Sequence, residues 1–366
     1  MSKVRIGIIG CGQIAQSHMD NYAKIPEAEM VAFADINREA ACTSAEKHGV
    51  ENVYEDFREL LKRDDLDAVD VCLHNNLHMP VTVEALESGR HVYCEKPMAG
   101  SYRDAVAMLD AAHKAGRNLH IQLATLYSNE TRAAKELIEL GELGDVFHAR
   151  SQGFRRRGRP YVDGYGTPTF VQKRNSAGGA LYDMGVYHIS QALYLLGNPK
   201  VDRISGKTYQ RIDMDAGRRE KSGYDVEELG MGFVRMENDL SLDLIESWAA
   251  NLDSFEGSYI LGSKGGVRLS PFGFFKNIGN IELNATANMG SARFRWDNVV
   301  GDGEVYGSSQ GHWIAALQGK VDLLPTAEIA LNTMLISEGI YLSQERNREV
   351  AADEVLEASG STAIKV

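Results

Sequence analysis

The stretch that most constrains the fold lies at the start of the chain, where an apolar run leads into a glycine turn. Residues 4–10, VRIGIIG, are almost continuously apolar and rich in β-branched side chains, as expected for a parallel strand covered on both faces. The pattern Gly10-x-Gly12-x-x-Ala15 follows and opens a helical pattern. Gly10 permits a tight turn, Gly12 lets the backbone approach a pyrophosphate, and Ala15 lets helix and strand pack closely. The N–H groups at the helix start would face that anion.

Strand-like and helix-like patterns alternate over residues 1–123. A helix is predicted, for example, from about Pro80 to Glu87, with a stop at Gly89. This alternation predicts an α/β domain of the Rossmann type, in which a doubly wound parallel sheet binds ligands at the carboxyl ends of its strands.

The pattern changes after Leu123, and residues 124–366 are predicted to form a second, α+β domain. Two strand candidates surround Asn238–Asp239 and predict a hairpin that turns there. A helix is predicted at 326–346. We expect a large, mostly antiparallel open sheet, because strand candidates follow one another without helices between them, at residues 146–154, 229–237, 240–249 and 257–270.

The net negative charge of the chain limits the classes of partner that it can bind. The net charge is −12 and the pI about 5.4, so nucleic acid or an anionic membrane would need a local basic patch. The only dense patch is RRRGR, residues 155–159. No apolar run reaches the ~18 residues of a transmembrane helix, and the first apolar run is interpreted as a strand and not as a signal peptide. We expect no nucleic-acid or membrane partner and, without a twin-arginine leader, a cytoplasmic location.

The four cysteines lie at positions 11, 42, 72 and 94, and none form a C-x-x-C pair. Their placement argues against a disulfide framework and against a structural zinc site, and it favours a reducing compartment. We expect no metal.

An acid ends the second strand candidate and bears on the choice of cofactor. Asp35 can bind both hydroxyls of an adenosine ribose and would repel a 2′-phosphate, so NAD is favoured over NADP. Arg38 leaves NADP as the alternative cofactor, because a nearby arginine can accommodate that phosphate.

The segment CEKPMAG follows another strand candidate, HVY. Glu95, Lys96 and Pro97 would therefore stand at the carboxyl edge of the sheet, where a nicotinamide ring would lie. A lysine held there between an acid and a proline is a candidate for proton transfer, since desolvation can lower its pKa.

Four segments, GCGQIA, ADIN, CEKPMAG and GGALYDMGVYHISQALYLLG, together resemble the glucose–fructose oxidoreductase, inositol dehydrogenase and rhizopine catabolism (Gfo/Idh/MocA) family, over residues 4–350. The resemblance implies a Rossmann domain that binds NAD(P) and a C-terminal domain whose open sheet covers nicotinamide and substrate. It also implies a homo-oligomer, a dimer or tetramer through that sheet. It implies proton transfer by Lys96 and admits a cis Lys96–Pro97 peptide.

The segment HNNLH, residues 74–78, looks like the P-N-x-x-H loop that lies beside the cofactor in this family. His74 stands where proline is usual, so we expect a different backbone there. Sequence and resemblance together give these candidate cofactor-binding residues: Gly10, Gly12, Gln13, Ile14, Asp35, Arg38, Leu73, His74, Asn75, His78, Glu95, Lys96 and Gln122.

Asp183 is followed at short helical spacing by Tyr187 and His188. Positions four apart on a helix differ by about 40° and positions five apart by about 140°, so Tyr187 shares the face of Asp183 and His188 points away. The common family form, D-x-G-x-H, has histidine where Tyr187 stands, and some members have tyrosine there. We predict Tyr187 as the catalytic partner of Lys96 and Asp183, with His188 as the alternative.

The basic segment RRRGRPYVDGYG, residues 155–166, has two interpretations. It is a solvated loop, or it is a sugar-binding loop in which arginines donate to hydroxyls and tyrosine rings pack on a pyranose. Trp248 is predicted to lie in the core or an interface. The candidate substrate-binding residues are Lys96, Arg156, Tyr161, Tyr165, Asp183 and Tyr187.

These features predict reversible hydride transfer between NAD and a secondary alcohol of a sugar, glycoside or cyclitol, with C3 of a pyranoside favoured. The segment RRRG and the region of Trp248 are similar to those of family members that oxidise pyranosides, such as glycoside 3-dehydrogenases. Lys96 would be the general base, Asp183 would orient it, and Tyr187 would bind the reacting oxygen. Two alternatives are a redox-assisted, NAD-dependent glycosidase and a non-catalytic NAD-binding regulator.

Overall fold

The computed structural model describes residues 2–366, and its first sheet has six parallel strands. They lie in the order β3-β2-β1-β4-β5-β6, so the strand order reverses between β1 and β4, as in a doubly wound Rossmann sheet. The predicted α/β class of this part is confirmed. The strands are β1 (Val4–Ile9), β2 (Ala28–Ala34), β3 (Asn52–Tyr54), β4 (Ala68–Val71), β5 (His91–Cys94) and β6 (Leu119–Ile121).

Five helices connect these strands in turn: α1 (Gln13–Tyr22), α2 (Arg38–His48), α3 (Phe57–Leu61), α4 (Asn75–Glu87) and α5 (Tyr102–Ala115). The predicted start of α4 at Pro80 is wrong, because the helix begins at Asn75. A proline inside a helix leaves the carbonyl four residues earlier without its N–H partner. Here that carbonyl belongs to Asn76, and it accepts a hydrogen bond from the backbone N–H of Ile364, 3.0 Å away.

The second sheet has nine strands in the order β14-β13-β12-β11-β7-β10-β9-β8-β15. Its neighbours pair antiparallel except β7 and β10, which are parallel, so the predicted mostly antiparallel open sheet is confirmed. The strands are β7 (Val146–Phe154), β8 (Val201–Tyr209), β9 (Leu229–Met236), β10 (Ser241–Ser247), β11 (Tyr259–Gly262), β12 (Gly266–Leu269), β13 (Phe272–Ile278), β14 (Ile281–Ala285) and β15 (Val350–Ala351).

The hairpin between β9 and β10 turns where the sequence predicts. Asn238 and Asp239 have φ angles of 58° and 59°, and two consecutive residues with positive φ are what a tight hairpin turn requires. The predicted helix at 326–346 is also confirmed.

The helices of the second part are α6 (Asn129–Glu139), α7 (Lys173–Ser176), α8 (Val186–Leu195), α9 (Ala216–Ser222), α10 (Met289–Arg295), α11 (Gly303–Tyr306), α12 (Ser309–Leu317), α13 (Thr326–Arg346) and α14 (Ala352–Ala358). Trp313 of α12 is fully buried, and its ring centroid lies 5.3 Å from that of Tyr93 on β5. The later chain thus returns to complete the core of the first sheet. The division at residue 123 stays a prediction. None of the helices in residues 2–366 combines the length and the apolar character needed to cross a membrane.

The basic loop is folded around one buried arginine. Arg159 is 1 % exposed, and its guanidinium lies 2.8 Å from Asp163 Oδ2 and 3.0 Å from Glu228 Oε2. Both carboxylates are buried as well. Arg157 of the same loop is 80 % exposed, 3.4 Å from Asp163. The loop is therefore only in part the solvated segment of one interpretation.

We expect Arg159→Ala to lower the free energy of unfolding by about 3–5 kcal/mol, because it leaves two buried carboxylates without their cation. Arg157→Ala is the matched control and should change it by less than ~1 kcal/mol, since the Arg157 guanidinium is exposed and Asp163 keeps its contact with Arg159. Urea unfolding followed by fluorescence measures both. Equal effects of the two variants would contradict the buried network.

Candidate active site

The glycine turn between β1 and α1 has the shape that an anion needs. Gly10 has φ 93°, and a Cβ on it would lie 2.4 Å from the carbonyl oxygen of Cys72. Gly12 is the N-cap of α1. It has no side chain to cap the N–H groups of the helix, and a Cβ added to it would meet open space. Free N–H groups and room beside them fit a pyrophosphate.

The carboxylate at the end of β2 lies against this turn. Asp35 Oδ2 accepts from the N–H of Cys11 at 2.7 Å, and Oδ1 accepts from the N–H of Asn37 at 2.7 Å. This position suits an acid that binds ribose hydroxyls. Ile14, in the first turn of α1, is 45 % exposed, as expected for a side chain over which a cofactor can lie. Arg38 is exposed and lies 3.8 Å from Glu55.

The segment at the start of α4 joins the two parts of the chain. His74 has φ −77° and ψ 150°, which proline can also adopt, so the expected change of backbone is wrong. Asn75 donates through Nδ2 to the carbonyl of Ser176 at 2.7 Å. His78 is fully buried, and its ring nitrogens lie 2.7 Å from the Pro97 carbonyl and 3.0 Å from the Leu73 carbonyl. His78 therefore ties two loops together.

Gln122 follows β6, and its side-chain Oε1 is buried with no hydrogen-bond partner among residues 2–366. Such an acceptor suits a ligand that donates an N–H, as the carboxamide of nicotinamide does. Together with the glycine turn and Asp35, it makes the residues of the first sheet fit NAD.

Lys96 meets the predicted acid and phenol directly. The Lys96–Pro97 peptide is cis. Lys96 Nζ lies 3.0 Å from Asp183 Oδ1 and 4.8 Å from the ring centroid of Tyr187. The predicted shared face of Asp183 and Tyr187 is therefore confirmed. His188 bonds elsewhere, with Nδ1 2.9 Å from Glu246 Oε2.

A buried glutamate fixes the helical segment that carries the acid. Residues Leu181–Gly185 form one turn of π-helix before α8. Glu227 accepts from the N–H of Gly179 at 2.9 Å and of Leu181 at 3.0 Å, which satisfies N–H groups that a helix start leaves free. This contact holds Asp183 opposite Lys96.

Two further residues hold Asp183, and the sequence did not identify them. Trp248 is fully buried and donates through Nε1 to Asp183 Oδ2 at 3.0 Å. Arg155 Nη1 lies 3.6 Å from the same oxygen, whereas the side chain of Arg156 is exposed. Glu246 and Trp248 are two apart where the chain is extended, so alternation places both toward the helix. The two-residue spacing from Glu246 could have indicated that Trp248 faces the helix of Asp183.

The contact between Lys96 and Asp183 determines the protonation state of both side chains. Burial would lower the pKa of Lys96, but the carboxylate of Asp183 raises it above its ordinary value. The expected lowering is therefore wrong. Burial would raise the pKa of Asp183, and Lys96 lowers it. For Tyr187, burial raises the pKa despite Lys96. The pair stands as ammonium and carboxylate beside a neutral phenol.

The two loop tyrosines lie in different surroundings. Tyr165 bonds Arg155 and donates to the carbonyl of Gly158 at 2.7 Å, so it reaches the group that contacts Asp183. Tyr161 has φ 58°, and the guanidinium of Arg218 lies 5.0 Å from its ring centroid. Of the two tyrosines predicted to bind substrate, Tyr165 is the one connected to Asp183, through Arg155.

A cavity of about 540 Å³ borders the same helical segment through Met184 and His188. Its described lining contains neither lysine nor arginine. Hydroxyls and amides supply most of its polar groups, among them Thr125, Ser128, Gln152, Gln191 and Ser258.

The fold and this site define an oxidoreductase that binds NAD through a Rossmann sheet. Residues 4–123 match a family model described as "Oxidoreductase family, NAD-binding Rossmann fold", and residues 131–268 match one described as "GFO/IDH/MocA C-terminal domain". The chain belongs to the Gfo/Idh/MocA family.

Two curated relatives and two solved structures show the range of similarity. D-glucoside 3-dehydrogenase of Escherichia coli is 29 % identical over 357 residues, 95 % of this chain and 97 % of that protein. Levoglucosan dehydrogenase of Pseudarthrobacter phenanthrenivorans is 28 % identical over 265 residues, 65 % of this chain and 66 % of that protein. An oxidoreductase domain protein of Kribbella flavida has TM-score 0.80 at 20 % identity, covering 96 % and 100 % of the chains. A levoglucosan dehydrogenase complex with NADH has TM-score 0.76 at 20 % identity, covering 96 % and 99 %.

We expect Asp35→Ser to raise the ratio of kcat/KM with NADP to kcat/KM with NAD by about tenfold or more, because it removes a charge that repels the 2′-phosphate and a partner of the ribose hydroxyls. The matched control is Glu55→Gln, which removes one nearby exposed charge and should leave the ratio within about threefold. A larger change in the control than in Asp35→Ser would contradict the assignment.

Proposed function

We propose that the protein transfers hydride between NAD and a secondary alcohol of a sugar, glycoside or cyclitol, with C3 of a pyranoside favoured. The observation that carries the proposal is the 3.0 Å contact of Lys96 Nζ with Asp183 Oδ1 beside Tyr187, just past the carboxyl end of β5. Ligands of such sheets bind at that edge. The names of the relatives, a glucoside 3-dehydrogenase and a levoglucosan dehydrogenase, agree with this substrate class.

Each residue of the site has a role that follows from its contacts. Oxidised nicotinamide, when bound, accepts the hydride. Lys96 takes the proton of the substrate hydroxyl during oxidation and returns it during reduction. Asp183 orients the Lys96 ammonium, and Trp248 in turn holds Asp183. Tyr187, whose ring faces the ammonium, donates a hydrogen bond to the reacting oxygen.

The cavity on the His188 side of the helix, which Lys96, Asp183 and Tyr187 do not line, has polar groups that suit a neutral polyhydroxylated molecule. A phosphorylated sugar would call for free cationic side chains. The described lining has no lysine or arginine, its one imidazole, His188, is paired with Glu246, and it includes the acidic residue Glu130. Hydroxyls and amides can both donate to and accept from sugar hydroxyls.

The raised pKa of Lys96 gives the two directions of the reaction different pH dependences. The ammonium is ready to donate a proton to a ketone, whereas oxidation requires its neutral form. We expect kcat/KM for oxidation to rise roughly tenfold per pH unit between about pH 6 and 8, because the neutral fraction of a base grows in that proportion below its pKa. The reductive rate should stay level over the same range. A level oxidative profile would contradict Lys96 as the base.

Lys96→Arg keeps the positive charge beside Asp183 and cannot lose its proton, so it should lower oxidative kcat by about 100-fold or more at every pH. Lys114→Arg, at an exposed position on α5, is the matched control and should not differ from the unmodified enzyme. The substrates are a panel of methyl glycosides and inositols, with NADH absorbance as the readout. Equal amounts of NADH and keto-sugar support oxidation, whereas net hydrolysis without NADH identifies the glycosidase alternative. Binding of NAD without turnover of any sugar identifies a regulator.

We also propose that the chain forms a homo-oligomer, a dimer or tetramer, through the outer face of the second sheet. Met231 and Phe233 on β9 are 42 % and 38 % exposed, and Leu261 on β11 is 37 % exposed. Apolar side chains grouped on one sheet face mark an interaction surface. Phe233→Glu should reduce the mass measured by light scattering to that of a monomer, and Leu140→Glu, at an exposed apolar residue after α6, should not. An unchanged mass for Phe233→Glu would count against this interface.

A further inference from the structure

A buried imidazole lies between two carboxylates beneath the site. His18 on α1 is 1 % exposed. Its Nδ1 lies 2.8 Å from Asp70 Oδ2, and its Nε2 lies 2.8 Å from Glu95 Oε1. Asp70 is fully buried on β4, and Glu95, 4 % exposed, follows β5. One ring therefore bridges the ends of two neighbouring strands.

With both carboxylates ionised, the geometry requires a proton on each ring nitrogen. An ionised carboxylate only accepts hydrogen bonds, so each nitrogen must donate to the oxygen it faces. Burial alone would lower the pKa of His18, but the carboxylate of Asp70 raises it well above its ordinary value. The titratable groups that face the ring from β4, β5 and the residues just after them are Asp70, Cys72, Tyr93 and Glu95, and Tyr22 of α1 lies near Asp70.

A metal ion does not fit between the same atoms. His18, Asp70 and Cys72 form a compact group of ligating side chains. Tetrahedral ligands at zinc distances lie roughly 3.3 Å apart or more. The 2.8 Å between Nδ1 and Oδ2 is a hydrogen bond, and Cys72 donates through its thiol to Asp70 Oδ1 at 3.3 Å. Hydrogen bonds among His18, Asp70, Cys72 and Glu95 therefore satisfy these side chains without an ion.

The bridge connects the cofactor turn to the reacting lysine. Helix α1, which carries His18, begins directly after Gly12 of the glycine turn. Glu95 Oε1 accepts from His18, and Glu95 Oε2 accepts from the backbone N–H of Lys96 at 2.9 Å. His18 thus orients the carboxylate that fixes the backbone of Lys96.

We propose that His18 is an imidazolium that positions Lys96 for the transfer step, by holding Glu95 and tying the Lys96 segment to the helix of the glycine turn. This inference rests on the proposed dehydrogenase function. Without the cation, two buried carboxylates remain unpaired, and Glu95 must turn or take up a proton. The Lys96 backbone then loses its oriented acceptor, and a displacement of the reacting group by about 1 Å can slow a reaction about 100-fold.

The kinetic test uses His18→Gln and the methyl glycoside or inositol with the highest turnover, with and without deuterium at the oxidised carbon. We expect kcat to fall 10- to 100-fold while KM for NAD and for the sugar changes less than about threefold. The deuterium isotope effect on kcat should rise, because the chemical step becomes slower than product release. A merely structural role would lower the active fraction and leave the isotope effect unchanged, which would overturn the proposal.

The matched control is His312→Gln, which removes another fully buried imidazole. His312 accepts from the N–H of Leu324 at 2.9 Å, has no carboxylate within salt-bridge distance among residues 2–366, and should leave kcat and the isotope effect unchanged. An equal loss of kcat in both variants would overturn the proposal. If His18→Gln does not fold, Asp70→Asn carries the kinetic test, with the same rise of the isotope effect expected.

The second measurement needs no substrate, so its failure is distinct from failure of the proposed function. Ring ¹⁵N NMR of the unmodified protein should show one histidine with both nitrogens protonated at pH 8, and His18→Gln or Asp70→Asn should remove that signal. A neutral His18 ring at pH 8 would overturn the proposal. If neither variant folds, this spectrum decides it.

Discussion

The contact between the Lys96 ammonium and the Asp183 carboxylate is the interaction on which the rest of the site depends. Removing either charge from water costs several kcal/mol, so each must meet a partner. The structure meets this requirement repeatedly, because charges of opposite sign alternate from the core of the first sheet to the loop of the second domain. The row runs through Asp70, His18, Glu95, Lys96, Asp183 and Arg155.

This row of charges crosses between the two sheets, and each sheet contributes rigid elements to it. The first sheet supplies Asp70, Glu95 and Lys96 at the carboxyl ends of β4 and β5, and helix α1 supplies His18 between them. The second supplies Asp183 from a turn of π-helix capped by Glu227, and a buried tryptophan from the end of β10. Groups that are fixed by packing and hydrogen bonds keep the geometry that proton transfer needs. The cavity beside the helix is lined mostly by hydroxyl and amide groups, together with Glu130 and His188.

Local periodicity was enough to predict the Rossmann sheet, the hairpin at Asn238–Asp239 and the shared face of Asp183 with Tyr187. It was not enough where a distant segment decides the outcome. Pro80 looked like a helix start because nothing nearby shows that Ile364 satisfies the carbonyl of Asn76. The partners of Asp183 were missed for the same reason, since Trp248 and the correct loop arginine reach it across sheet pairings. The pKa of Lys96 followed its neighbouring acid and not its burial.

The bond between Ile364 and Asn76 also bears on how the chain folds during synthesis. Domains generally fold as units while the ribosome extends the chain. The helix that begins at Asn75 is completed here by Ile364, much later in the chain, and Trp313, also late, packs against Tyr93 of the first sheet. When the first sheet emerges from the ribosome, the carbonyl of Asn76 therefore lacks its hydrogen-bond donor, and the Trp313 ring that packs against Tyr93 is still missing. The final ordering of this first part of the chain awaits translation of the segment that carries Ile364.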